Sequence, residues 1–519
     1  MKRSVLFSVL CVLVCVIGLV GAVQPAVAGT TERVSVPSDG TQGNDYSDEP
    51  SISADGRFVA FWSYATNLVP GDMNGYSDIF VHDRQTGETT RVSVASDRTE
   101  GNGGSYRPSI SADGRFVAFY SYASNLVPDD KGHDDVFVHD RQTGATTRVS
   151  VASDGTQANG HSHIPSVSAD GRFVAFYSYA SNLVPGDTNG THDIFVHDRQ
   201  TGETTRVSVA SDGAQANSYS YVSAISADGR FVAFESYASN LVPADTNGGY
   251  DIFVHDRQTG QTTRVSVASD GAEGNQTSEQ PSISAHGRFV AFRSSASNLV
   301  PGDMNGWLDV FVHDRQTGET TRVSVASDGT QGNNWSSSAS ISGDGRVVAF
   351  ESHASNLVPG DTNGYKDVFV RDRGLILSVL SAPIIDVDVA GSRPGATPYS
   401  AGCDDPEVVN LTAPVNVTSG DLDYRFVRWV VDGTDQRPCE RTVSITMDAN
   451  HSAEAKYSLY ADVTGDCRVT LLDFVAVRNR MYEYVTTDDN CRYDLTGDGL
   501  INVFDLIAVR NHMSTMCPE

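Results

Sequence analysis

Between residues 30 and 373 the alternation of apolar and polar positions repeats in blocks of 57 or 58 residues, marked by an Arg-Val-Ser-Val that begins at Arg33, Arg91, Arg148, Arg206, Arg264 and Arg322. Self-similarity at a fixed period means that one supersecondary unit is copied along the chain. In the first complete block, residues 50–53 read as a strand, Asp55-Gly56 as a hairpin turn and residues 57–61 as the second arm. Residues 78–82 form a third apolar run. Residues 83–87 then turn the chain into a fourth, 89–94, with Gly87 free to take positive φ. No helical period occurs in the block.

Four short antiparallel strands per block is the blade pattern of a β-propeller. Six copies of the first three strands begin at Ser51, Ser109, Ser166, Ala224, Ser282 and Ser340. The sixth runs into Gly374-Leu375-Ile376 instead of a fourth strand, and a matching Thr-Thr-Glu-Arg-Val-Ser-Val stands at residues 30–36. The pattern therefore predicts a mainly β chain with a six-bladed propeller over residues 29–374. Its N-terminal strand would pair with the last blade and leave no open sheet edge. An open solenoid is the competing arrangement. The recurring SADGRFVAF and DIFVHDRQTGETTRVSV resemble the TolB-type, WD-like bacterial propeller repeat. That resemblance implies the fold and leaves the ligand open.

The six units differ from one another mainly where blade joins blade: 45–49, 103–107, 160–164, 218–222, 276–280 and 334–338. They differ again after Val-Ala-Phe and just before the third strand, and alternating strand direction puts all three regions on one face. Tyr46, Trp62, Tyr106, Tyr120, His161, Tyr177, Tyr219, Tyr221 and Trp335 make this face aromatic. Flat rings beside polar groups suit a polysaccharide or peptide ligand. His82 and its equivalents, inside the third strand, read as structural. The recurring loop Asp72-Met73-Asn74-Gly75-Tyr76-Ser77-Asp78 has oxygens at positions one, three and seven, which is compatible with Ca²⁺. Lacking a fourth dependable carboxylate, it reads rather as a loop ordered by Asx-turns.

Catalysis needs an asymmetric set of groups with separate roles. The near-copies offer only isolated carboxylates, Glu49, Glu235, Glu279 and Glu351, so no catalytic residue is assigned: a non-catalytic binding protein is the leading reading, a carbohydrate-active hydrolase the secondary one and a structural cell-surface protein the third. The net charge of -28 argues against nucleic acid or an anionic membrane as partner. Residues 1–28, with Lys2 and Arg3, an apolar run and Ala26-Val27-Ala28, read as a cleavable export signal; no later run is apolar enough to span a bilayer. Export predicts an extracellular or cell-surface location and permits disulfides among the later cysteines.

Residues 375–458 show strand-like alternation, for example 386–389 and 442–447. The stretches 426–433, 443–451 and 455–457 are similar to the internalin-type bacterial repeat, which implies a small β-sandwich-like spacer or adhesion module. Cys403 and Cys439 would close it with a disulfide worth about 2–4 kcal/mol. In residues 459–519 two loops repeat at 32 residues. The first offers Asp462, Thr464, Asp466, Arg468, Thr470 and Asp473; the second offers Asp494, Thr496, Asp498, Leu500, Asn502 and Asp505. Side-chain oxygens at loop positions 1, 3, 5, 9 and 12, with the backbone carbonyl at position 7, wrap one hard cation. Helical runs at 474–479 and 506–511 follow. Paired loops of this kind resemble a small all-α dockerin domain. The resemblance implies two Ca²⁺ ions and a cohesin-type partner met by Leu471, Leu472, Val503 and Phe504. Thr464, Thr496 and Cys467 depart from the usual residues, which makes the first loop the weaker site. Cys467, Cys491 and Cys517 leave their pairing open.

Overall fold

The computed structural model describes residues 32–382, most of 387–459, 471–479, and Leu495, Ile501, Asp505 and 507–509. Residues 35 onward form one compact unit. The repeats build six successive antiparallel sheets, each in simple up-and-down order. In the first, Ser47–Ile52, Phe58–Ser63, Asp78–Asp83 and Glu88–Arg91 pair in sequence. The fourth strand is shorter than the sequence pattern predicts. After Arg91 the backbone makes one more sheet bond, Val92 N–H to Ile79 O at 2.8 Å, and then turns into an isolated bridge between Val94 and Glu100.

Neighbouring sheets are joined by a clamp that recurs five times. Arg57 grips Asp83 with two bonds of 2.9 and 2.6 Å, and its guanidinium lies 4.6 Å from the centre of the Phe58 ring. Arg141 of the next repeat lies 4.4 Å from that centre and donates to Gly114 O at 2.7 Å. The ring occupies the space a side chain on Gly114 would need, because an added Cβ would stand 2.1 Å from Phe58. Phe116, Phe173, Phe231 and Phe289 meet Gly171, Gly229, Gly287 and Gly345 in the same way. Burial pulls Arg141 down from its usual range, and Arg373, in the fifth clamp, down to about 10. Beneath each clamp one sheet's Ala60, Ile79 and Val81 pack on the next sheet's Val117, Phe119 and Phe137. On the inner turns Ala54 donates to Ala112, Ala112 to Ala169, and so on to Gly343.

Among the described residues the expected fourth strand of the last sheet is not seen. The sixth sheet has three strands, Ser336–Ile341, Val347–Ser352 and Asp367–Asp372, and residues 32–36 form no strand. Val36 O accepts the Thr89 hydroxyl of the first repeat, the contact that Val94 O makes with Thr146 one repeat later. Val368 and Val370 are 73% and 67% exposed, whereas their equivalents Ile79 and Val81 are fully buried. At the other end Ile52 is 58% exposed. The physical reason lies in the terminal repeats. Val347 replaces the clamp phenylalanine, Arg371 replaces the strand histidine, and Gly56 meets no aromatic ring. Residues after Gly374 enter a different sheet, so no fourth strand is available from that side.

That sheet joins Leu375–Ala382, in parallel, to His451–Leu459, which pairs antiparallel with Leu422–Val431. A second sheet runs through Asp388–Gly391, Glu407–Thr412 and Thr442–Met447. Buried Trp429, Tyr424, Phe426, Val409, Leu411 and Ile445 share one core, which also includes Val477, Leu495, Ile501 and Val509. Trp429 satisfies its indole by donating to Arg441 O at 2.7 Å. A helix spans Leu471–Arg478. The Cys403 side chain and Cys439 lie outside the described residues, and with them the expected disulfide.

Because each repeat touches only its neighbours, loss of one ring is felt in full at one interface. Phe173→Ala should lower stability by about 3–5 kcal/mol, while Val347→Ala, on the last sheet, should cost no more than about 2 kcal/mol. Urea denaturation of the two variants checks the ordering.

Candidate functional site

The variable face begins with a backbone irregularity. In every repeat the first strand is bulged at one residue, and that residue has positive φ although none is glycine: Glu49, Arg107, Ile164, Val222, Gln280 and Ser338, at 29–56°. For β-branched Ile164 and Val222 this conformation costs on the order of 1–3 kcal/mol. A bulge re-aims the side chains beside it. Here those neighbours are Asp48, Tyr106, His163 and Tyr221 and their equivalents.

The outcome is a continuous ladder of rings. Tyr46 meets Trp62, Trp62 meets Tyr106, Tyr106 meets Tyr120, Tyr120 meets His163, His163 meets Tyr177 and Tyr177 meets Tyr221, with ring centres 4.7–5.6 Å apart. Tyr219 stacks on Tyr221 at 6.0 Å. Tyr46, Tyr122, Tyr179, Tyr219 and Tyr237 remain exposed beside the ladder. The structure thus brings together eight of the nine aromatic candidates, with His161 at the margin, 6.1 Å from His163. Trp335 stands apart and packs on His353 at 4.4 Å. His163, Tyr64 and Tyr122 were missed as site residues. His163 was legible because it lies in a segment where the repeats differ; Tyr64 and Tyr122 only become neighbours of the ladder through the strand pleat.

Beyond the fourth repeat the same face turns from aromatic to charged. Glu279 binds Arg293 at 2.6 and 3.0 Å and Glu351 binds Lys366 at 2.7 Å; within the aromatic stretch, Glu49 of the first repeat is held by Arg107 and the Trp62 indole, both at 2.9 Å. Glu235 is the exception among these carboxylates. It is buried, accepts the Gln280 N–H at 2.7 Å, and is pushed up to about 7, first by burial and further by nearby Glu279, against the pull of Gln280 and Arg293.

The loops with oxygens at positions one, three and seven have an internal cation. Arg91 lies 3.3 Å from Asp72 and 3.2 Å from Asp78 and also pairs with Glu100. Arg148 lies 3.0 Å from both Asp130 and Asp135. Asn74 donates to Asp78 at 3.0 Å and accepts the Tyr76 N–H at 2.8 Å, the Asx-turn expected for this loop. Burial still raises Asp72 and Asp135 to about 6. His82, His139, His197, His255 and His313 are buried and share a hydrogen with the facing threonine at 2.8–2.9 Å. Burial lowers His139 to about 4, which keeps it neutral.

The C-terminal loops are a separate site. Residues 460–514 match the dockerin type I domain. Dockerin type I domains bind calcium and dock onto cohesin partners, and they occur in extracellular cellulosome proteins. Of the twelve expected ligands only the Asp505 side chain is described. It is completely buried within a helical stretch. Asp473, Leu471 and Leu472 lie in the helix Leu471–Arg478; the remaining loop residues, with Val503 and Phe504, lie outside the described residues.

No curated protein matches the chain. Among solved structures, TolB from Acinetobacter baumannii is 18% identical with a TM-score of 0.34, over 54% of this chain and 55% of that one. The β-propeller domain of the Trilobed protease from Pyrococcus furiosus is 12% identical with a TM-score of 0.39, over 79% and 97%. Pyrococcus horikoshii acylaminoacyl peptidase is 13% identical with a TM-score of 0.39, over 76% and 52%. The chain spans about half the length of the first and third of these. No helix among the described residues is long and apolar enough to cross a membrane.

Glu235 gives a pH test of the site. Its folded pKa lies above the unfolded value near 4.5, so its stabilising contribution is complete below pH 4.5 and is lost as pH rises through about 7. Glu235→Gln should remove that dependence and leave the variant more stable than the parent at pH 8, by on the order of 3 kcal/mol at most. Urea midpoints of the two proteins at pH 4.5 and pH 8 measure it, and parallel pH profiles would count against a buried, proton-holding Glu235.

Proposed function

We propose that this protein is a secreted, non-catalytic binding component. Its dockerin domain docks it to a cohesin-bearing partner while the aromatic ladder takes an extended polysaccharide. The observation that carries the reading is the ladder itself, an unbroken run of rings from Tyr46 to Tyr221 across four repeats. A sugar chain presents apolar ring faces at regular intervals together with hydroxyls, and needs stacking area beside directional hydrogen-bonding groups. Tyr46, Tyr106, Tyr120, Tyr177, Tyr219 and Tyr221 supply the first, with Trp62 buried beneath them as support; Glu49, Asp134 and His161 supply the second. His161 borders the run, and Trp335 serves a separate point of contact or none. A peptide with aromatic or proline side chains is the alternative ligand for the same surface.

In the tail, Asp462, Thr464, Asp466, Arg468, Thr470 and Asp473 hold one Ca²⁺, and Asp494, Thr496, Asp498, Leu500, Asn502 and Asp505 hold another. Position seven gives its backbone carbonyl in each loop. Leu471, Leu472, Val503 and Phe504 meet the cohesin. Residues 1–28 direct export, which places the protein outside the cell or on its surface. A hydrolase is the second reading, favoured by one feature: Glu235 has no cation bound to it and is poised near neutrality, as a general acid or base must be.

A glycan array and a cohesin pulldown, each with and without EGTA, test this function. Cohesin capture should vanish in EGTA, whereas glycan retention should persist in EGTA and fall at least tenfold in a Tyr106→Ala, Tyr177→Ala double variant. Turnover of a retained polysaccharide that stops in Glu235→Gln would replace the binding reading with the hydrolase.

A further inference from the structure

One cluster on the variable face breaks the sixfold repetition in a way neither the fold nor the ladder requires. Asp134 ends the loop before the third strand of the second repeat, and His161 and His163 lie just before the bulge at Ile164 in the third. One Asp134 carboxylate oxygen, Oδ2, lies 2.8 Å from His161 Nδ1 and 2.9 Å from His163 Nε2. The three donor atoms lie within 4.8 Å of one another. At the two histidine positions the first repeat has Tyr46 and Asp48, the fourth Tyr219 and Tyr221, and the fifth Thr277 and Glu279.

We propose that Asp134, His161 and His163 bind a divalent transition-metal ion of the Zn²⁺ class, with at least one coordination position left open to solvent. Two imidazole nitrogens and a carboxylate oxygen are the donor set such ions take. Ligand atoms around a tetrahedral ion with bonds near 2.0–2.1 Å stand about 3.3 Å apart, so an opening of roughly half an ångström admits the metal. The local hydrogen bonding leaves a place for positive charge. The Asp134 carboxylate oxygen faces His161 Nδ1 at 2.8 Å. Two lone pairs at 2.8 Å repel unless a proton or a cation stands between them. His163 is oriented from behind by Tyr177, whose hydroxyl is 3.0 Å from Nδ1, leaving Nε2 for the ion. Such outer partners fix ring orientation at metal sites. The His161 side chain is 54% exposed, so the open position faces solvent, and the Tyr120 ring lies 4.7 Å from His163. A bound ion would therefore stand in the middle of the ladder with a water or a ligand oxygen on its free side.

The test is a Co²⁺ titration of the full chain in excess Ca²⁺, which fills the C-terminal loops, followed by visible absorption. Expected are d–d bands of low-symmetry, nitrogen- and oxygen-bound Co²⁺ that saturate at one equivalent and disappear when Zn²⁺ is added. His161→Ala and His163→Ala should each abolish them, Tyr177→Phe should weaken binding about tenfold, and His286→Ala, at an exposed turn of the fifth repeat, should change nothing. Each variant's circular dichroism confirms that it is folded. Bands that survive in the His161→Ala, His163→Ala double variant, a spectrum dominated by thiolate charge transfer, or no saturable band at all would overturn the assignment.

Discussion

An aromatic ring wedged against a glycine, with a guanidinium from its own sheet and another from the next, is the contact from which this molecule is built. Without it the repeats would be isolated four-stranded sheets, each too small to bury both faces. The arginine of the first repeat cannot drift, because Asp83 holds it with two charged bonds. The phenylalanine cannot be replaced by something that leaves Gly114 free to carry a side chain, because the two share one space. Five such clamps, with the apolar layers beneath them, stabilise an array that has no cysteine anywhere between residues 32 and 374.

The same arrangement explains why one face is uniform and the other diverse. The clamps and their turns sit at the Asp-Gly and Thr-Gly connections, where almost any substitution breaks an interface. On the opposite side the loops are ordered from within. Arg91 and its equivalents neutralise the loop aspartates, and the asparagine of each loop closes its own turn. Once the backbone is held this way, side chains just outside it are free to differ between repeats. The bulge at Glu49, Arg107, Ile164 and Val222 then turns these differing side chains toward one another across sheet boundaries. The aromatic ladder is therefore a product of interfaces that tolerate no change supporting positions that do.

The C-terminal third obeys other rules. Its β core is closed around Trp429, and its calcium loops depend on oxygen spacing along a few residues of chain. That local dependence is why a dockerin domain could be recognised in this segment without any knowledge of packing. The strands of each repeat were legible for a similar reason: Asp-Gly turns and apolar alternation are properties of adjacent residues.

What the sequence determined by itself, then, was whatever depends on near neighbours: the repeat, its strands, the structural role of the buried histidines, the Asx-turn loops and the dockerin domain. Whether the array closes on itself depends on packing between residues hundreds of positions apart. Matching residues 30–36 to a missing strand could not weigh the loss of a clamp ring at Val347 or the diversion of the chain after Gly374. Likewise, aromatic residues could be assigned to one face from strand direction alone. Only the bulges and the sheet-to-sheet stacking decided that Tyr46 through Tyr221 touch in series, that Trp335 does not join them, and that His161 and His163 converge on Asp134. Contacts of that kind are set by three-dimensional register, which no linear spacing encodes.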